Sequence, residues 1–139
     1  MAGRAKAESL FHGIRTKTLP PAEFSHEEHI RLAWYYLTTW PLDEACERFD
    51  ADLRAYVAAA GASDKYHYTI THGLLRLLDT HLDTEAKRQD WEAFKQDAKP
   101  AFDDAMAVLL RFWSDTALFS DSARATWEEP DRAPLPTRP

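Results

Sequence analysis

Apolar residues recur in this chain at three- and four-residue intervals between hard stops, and that punctuated periodicity restricts it to helices. Pro20-Pro21 closes one segment, Pro41 a second and Gly61 a third, while Pro100 opens another. Proline lacks the amide proton that an interior helical position requires, and glycine readily takes the left-handed conformation that ends a helix. Ser25-His26-Glu27-Glu28 sets a capping hydroxyl three residues ahead of a glutamate, which predicts a helix from His26 to Trp40. At about 100° per residue, His26, His29, Ile30, Ala33, Leu37 and Trp40 share one face, and Glu27, Glu28 and Arg31 fall mostly away from it. A second helix is expected from about Leu42 to Ala60, with Leu42, Cys46, Phe49, Leu53 and Tyr56 as its stripe. A third follows Ala62-Ser63-Asp64 and runs to about Leu82, turning His67, Ile70, Thr71, Leu74 and Leu78 inward. A shorter, more polar helix over Thr84 to Lys99 and one opening at Pro100, bearing Phe102, Met106, Leu109 and Trp113, complete the pattern.

No segment alternates as a half-buried strand must, and no internal repeat is present. The expected architecture is all-α, a compact bundle of four to five helices forming a single domain over residues 1–139. Within it, residues 1–21 form an N-terminal segment whose packing the sequence does not place. A short helical stretch around Asp121 to Trp127 leads into an extended tail over 128–139, where Pro130, Pro134, Pro136 and Pro139 discourage helix. With 45% hydrophobic and 12% aromatic residues, such a chain has enough apolar surface to bury a core.

Composition also removes several function classes. There are 23 acidic against 17 basic residues, a formal net charge of −6, which argues against an electrostatic grip on a phosphate backbone. One cysteine, Cys46, allows neither an internal disulfide nor an all-cysteine metal cluster, and it is expected to be an inert core thiol. The 4 glycines are scattered, so no glycine-rich phosphate loop is formed. Residues 1–7 carry Arg4 and Lys6 without the apolar run of a signal peptide, and no stretch approaches the roughly 18 apolar residues of a membrane span. The expectation is a cytoplasmic protein with neither nucleic acid nor membrane as partner.

The 6 histidines are placed unevenly. His26 and His29 are three apart on one helix, so both imidazoles project from the same face with Cβ atoms roughly 5–6 Å apart. Both sit in a first turn, where the positive end of the helix dipole disfavours an imidazolium and keeps the ring in its metal-binding neutral form. His67 is expected in the first turn of its own helix, on the buried face, so a crossing arrangement brings it to the same pocket. The three form a candidate ligand set for a divalent transition metal, with zinc, iron and copper all compatible with imidazole donors. Thr71, one turn beyond His67, is placed to fix a ligand or bound water, and Tyr66 joins it as a candidate catalytic group. The competing reading is structural: a histidine near a helix start also caps backbone amides or edges a core. His72 lies about 140° around the helix from His67, His81 lies roughly 21 Å along it, and His12 falls in the unplaced segment, so these three are expected to be solvated or locally bonded. Asp43, Glu44, Glu47 and Asp50 are expected to form a solvated face. Most of Trp34-Tyr35-Tyr36 is expected to pack in the core.

Serine catalysis has no support without a GxSxG turn. Ser25 to Ile30 reads SHEEHI, one residue shorter between its histidines than the zinc-protease HExxH, so that mechanism does not transfer.

Three stretches together resemble a small, largely uncharacterised family of bacterial helical proteins: Phe24-Ser25-His26-Glu27-Glu28-His29-Ile30; Lys65-Tyr66-His67-Tyr68-Thr69-Ile70-Thr71; and Leu118 through Ser120, Ala123-Arg124, Trp127 and Pro130-Asp131 to Leu135-Pro136. The resemblance spans most of the chain and implies that the C-terminal segment is part of the fold; it implies no mechanism. It adds Arg124 to the candidate site, either clamping the tail or pairing a substrate carboxylate. The leading expectation is thus a metal-dependent enzyme acting on a small molecule, hydrolytic or redox. The alternatives are a metal-free binding module for a small anionic ligand, received by helix N-termini, Lys65 and Arg124, and a structural or interaction protein, as a homodimer for instance, using an exposed aromatic surface.

Overall fold

The computed structural model describes residues 2–138; Met1 and Pro139, the ends of the two terminal segments, lie outside the described residues. Among these the chain is all-helical: α1 (Ala2–Thr16), α2 (His26–Thr39), α3 (Leu42–Ala59), α4 (Tyr68–Asp79), α5 (Glu85–Gln89), α6 (Trp91–Asp97), α7 (Lys99–Leu109), α8 (Asp115–Leu118) and α9 (Asp121–Ala125). None of these helices is long and apolar enough to cross a membrane.

Local chemistry explains where the helices stop. The Ser25 hydroxyl accepts the Glu28 amide at 3.4 Å, as the sequence predicts, but the Glu28 carboxylate does not complete the reciprocal cap; it faces Arg31 at 3.5 Å and Lys6 at 3.6 Å instead. Gly61 takes a positive φ of 71° after α3, the conformation that relieves the last carbonyls of a helix. The expected helix over 84–99 is two helices, because Asp90 adopts an extended conformation (φ −114°, ψ 111°) and its carboxylate caps the start of α6. α7 is likewise interrupted at Asp104 (φ −160°, ψ 83°), whose Oδ1 accepts the Ala107 amide at 3.0 Å and restarts the helix.

α2 lies at the centre of the bundle, flanked by α1 and α3 and touched by α4, α5 and α7. That position corrects one expectation: Glu28 and Arg31 are buried, because α1 and α6 cover the face on which they lie. The Arg31 guanidinium stacks over Trp91 at 4.3 Å while pairing with Glu27 and Glu28, so the charge is carried inside a shell of partners. α1 supplies Ala7, Leu10 and Ile14 to the same core. Trp34 and Tyr36 are fully buried, with the Trp34 indole N–H donating to the Lys87 carbonyl at 3.1 Å and the Tyr36 hydroxyl donating to Asp52 at 2.5 Å. Among the described residues Phe119 is the large apolar side chain that is exposed, while Trp34 and Tyr36 are buried and Tyr35 is half-buried.

A second, smaller core gathers Leu77, Leu109, Trp113 and Leu118, with Trp127 and Leu135 packed against it. It is closed by the residues after α9. Trp113 Nε1 donates to the Glu128 carbonyl at 2.8 Å, the Thr69 hydroxyl donates to the Thr126 carbonyl at 2.8 Å, and the Ser114 hydroxyl and amide both donate to Asp131. At the far end Arg138 Nε reaches the buried Asp79 carboxylate at 3.0 Å. Extended backbone without internal bonds has to find partners elsewhere, and residues 126–138 find them on α4, just beyond its end, and on the loop that follows α7.

Candidate functional site

The N-terminal turns of α2 and α4 open onto one cavity of about 540 Å³. His26, His29, Lys65, Tyr66, His67 and Thr71 supply its polar wall; the apolar wall comes from Ile30 and Ala33 on α2, Phe49 and Leu53 on α3, Leu74, Leu75 and Leu78 on α4, and Met106 and Leu109 on α7. The order follows from the helices themselves. Moving along α2 and α4 away from their starts, the inward residues change from imidazole and hydroxyl to aliphatic, so the cavity is polar at one end and apolar beyond it. Burial follows the same gradient: His26 and Lys65 are exposed, whereas Ile30, Ala33, Phe49, Leu53, Leu75, Leu78 and Leu109 are buried.

The three histidines expected to meet therefore do share a wall. Their ring nitrogens are differently engaged. His67 is the N-cap of α4 rather than a member of its first turn: its Nδ1 accepts the Ile70 amide at 3.1 Å, and its Nε2 donates to the Leu118 carbonyl at 2.8 Å. An acceptor at Nδ1 and a donor at Nε2 fix the neutral tautomer, and burial together with the nearby Arg124 charge holds the ring below the usual histidine range. Both nitrogens are spent. His26 Nε2 faces the Ala101 carbonyl at 2.9 Å and so carries the proton it donates, leaving Nδ1 as the free side of that ring. His29 stacks on Phe24 with ring centroids 3.7 Å apart, and burial, reinforced by His26, pushes its pKa down to about 4. Among the described residues no three His, Cys, Asp or Glu side chains are grouped so as to hold a metal ion. A metal bound by His67 would have to take one of these two ring nitrogens from its hydrogen bond, and the bond at Nδ1 is the one that caps α4.

Thr71 and Tyr66 line the cavity, as expected of candidate site residues, but Arg124 does not. Its guanidinium donates to the Asp64 and Tyr66 carbonyls, the latter at 3.0 Å, tying the loop that carries Lys65, Tyr66 and His67 to α9. It acts on the site by holding that loop. Cys46 is buried and unpaired in a disulfide, and desolvation raises its thiol to about 11, which leaves it unreactive.

Sequence reasoning missed one polar cluster beside the cavity. Asp50, expected on a solvated face, is half-buried and accepts from the Tyr66 hydroxyl, from His72 Nε2 at 3.1 Å and from Arg54 Nε at 3.0 Å. His72, expected to be solvated or locally bonded, is buried and stacks on Tyr68 with centroids 4.0 Å apart. In the sequence only the Asp50–Arg54 spacing hints at this cluster; the partners from α4 and the preceding loop arrive through folding. A second hollow of about 780 Å³ lies on the other side of His72, between α4 and the tail. It is a surface groove, walled partly by the exposed Glu129, Asp131, Arg132 and Pro134, and it lacks the buried apolar wall of the histidine cavity.

The fold is all-helical, with a cavity at the N-terminal turns of α2 and α4 that combines a buried apolar wall and a polar mouth. Compared with known proteins, the chain shows no significant match to a protein-family model, a curated protein or a solved structure.

Proposed function

We propose that this protein is a binding module for a small, largely apolar organic molecule, held in the α2–α3–α4–α7 cavity without a metal. The observation that carries the reading is the cavity itself: a buried aliphatic wall with a few polar groups at one end, of a size within the roughly 300–1,000 Å³ typical of small-molecule sites. The commitment of both His67 nitrogens, and the stacking of His29 on Phe24, favour this over metal coordination. A metal-dependent enzyme using His26, His29 and His67 would require that wall to rearrange.

The neutral fluorophore N-phenyl-1-naphthylamine is expected to bind with enhanced emission, and EDTA is expected to leave the titration unchanged. Ala33→Leu and Ala105→Phe, both on the cavity wall, should each weaken binding about tenfold or more by occupying the space, a loss of at least ~1.4 kcal/mol. Circular dichroism separates blocked binding from failed folding. No binding to the wild type, or unimpaired binding to both folded variants, would overturn the reading; binding lost on chelation and restored by a transition metal would replace it with the metal site.

A further inference from the structure

The polar end of the cavity carries donors and no carboxylate, in a chain where acidic residues outnumber basic ones 23 to 17. Several of its polar groups are already used: the Tyr66 hydroxyl on Asp50, both nitrogens of His67, and His26 Nε2 on the Ala101 carbonyl. What remains on the cavity side is the Lys65 ammonium, which makes no ion pair among the described residues, together with the His29 ring and the Thr71 hydroxyl, neither of which has a side-chain hydrogen bond there; His26 Nδ1, an acceptor, belongs to an exposed residue and can be met by solvent. Lys65 is exposed and so stands at the mouth, whereas the apolar wall is buried. An occupant that satisfies both ends has an aliphatic body and an anionic, acceptor-only head.

Resting on the binding reading above, we infer that the cavity takes a medium-chain monocarboxylate, its chain against Leu53, Leu74, Leu75 and Leu78 and its carboxylate at Lys65. A carboxylate suits this end because it accepts from an ammonium, an imidazole N–H and a hydroxyl at once without asking the wall for an acceptor. An alcohol forgoes the charge, and an alkylammonium meets Lys65 with like charge.

Three ligands with the same ten-carbon chain test the inference by displacement of N-phenyl-1-naphthylamine at neutral pH and low salt, where an exposed charge pair is least screened. Decanoate should bind about fivefold or more tightly than decanol, a difference of about 1 kcal/mol or more, with decylammonium weakest. Lys65→Gln should bring decanoate to the level of decanol when both are measured against the variant's own affinity for the fluorophore. Decanol equal to or better than decanoate, a decanoate preference that survives in Lys65→Gln, or no displacement by decanoate while the fluorophore binds would each overturn the acid assignment and leave the cavity reading standing. Absence of fluorophore binding itself would remove both.

Discussion

Trp113→Ala is expected to cost about 3–5 kcal/mol of folding stability, the range for deleting a fully buried large aromatic side chain. Trp113 is 0% exposed and stands at the middle of the second core, among Leu77, Leu109 and Leu118. Its ring edge meets Trp127 at a centroid distance of 5.7 Å, nearly perpendicular, and it lies so close to Gly73 that a Cβ on that glycine would come within 2.9 Å of the indole. Truncation also leaves the Glu128 carbonyl without its indole partner at the point where the tail crosses the core. Against the ~5–15 kcal/mol that holds a domain of ordinary size, this is a large fraction, and the C-terminal segment should loosen with it. Urea unfolding followed by circular dichroism should show the midpoint falling sharply, and amide exchange should rise between residues 126 and 138. Trp113→Phe, which keeps one aromatic ring but loses part of the volume and the hydrogen bond, should fall between wild type and the alanine variant. A loss below about 1 kcal/mol for the alanine variant would mean that this core does not carry the closure of the tail.

Acid sensitivity is the second large effect. His29 is pushed from its ordinary 6.5 to about 4, first by burial and then by His26. Its folded-state pKa is the lower one, so below pH 6.5 the unfolded chain binds a proton that the folded chain refuses. Stability therefore falls as the pH drops from about 6.5 to about 4, by up to ~3 kcal/mol from this ring alone at about 1.4 kcal/mol per unit. Burial holds His67 and His72 low as well, with the same sign. Glu27, Asp97 and Asp131 are held low by Lys95, His81 and Ser114 respectively, and their contribution is lost at still lower pH. The test is the difference between wild type and His29→Leu across that interval. The gap should shift in favour of the variant as the pH falls from 6.5 to 4; parallel curves would show that His29 titrates normally.

Local chemistry in this chain was legible from residue order alone where both partners are close in sequence. Ser25, Pro41 and Gly61 mark the ends of α2 and α3 because a cap, a missing amide and a permitted left-handed φ act within one turn. The inward stripe of α2 and the sharing of one cavity by His26, His29 and His67 also follow, since helical periodicity sets faces and a bundle has one interior. The Asp90 and Asp104 interruptions were not legible, because an aspartate tolerates a helix until its carboxylate finds a free amide. The burial of Glu28 and Arg31 depends on α1, which precedes α2, and on α6, which follows it much later in the chain. The role of His67 as a cap, with Leu118 fifty-one residues away as its second partner, and the Asp50–His72 pair, twenty-two residues apart, are likewise tertiary facts. A sequence places chemistry-bearing groups on a face but not the carbonyls they will meet, and that is why the bonds of His26 to Ala101 and of His67 to Leu118 were not legible.

Backbone ¹H–¹⁵N shift mapping with decanol and decanoate addresses the central claim most directly, because it reports where a ligand sits without altering the protein. Saturating shifts confined to Ala33, Leu53, Ile70, Leu74 and Leu78, lining the cavity from three helices, are the expected result for both. Shifts gathered instead at Tyr68, Trp127 and Leu135 around the surface groove, or none at all, would contradict the assignment of the histidine cavity as the binding site.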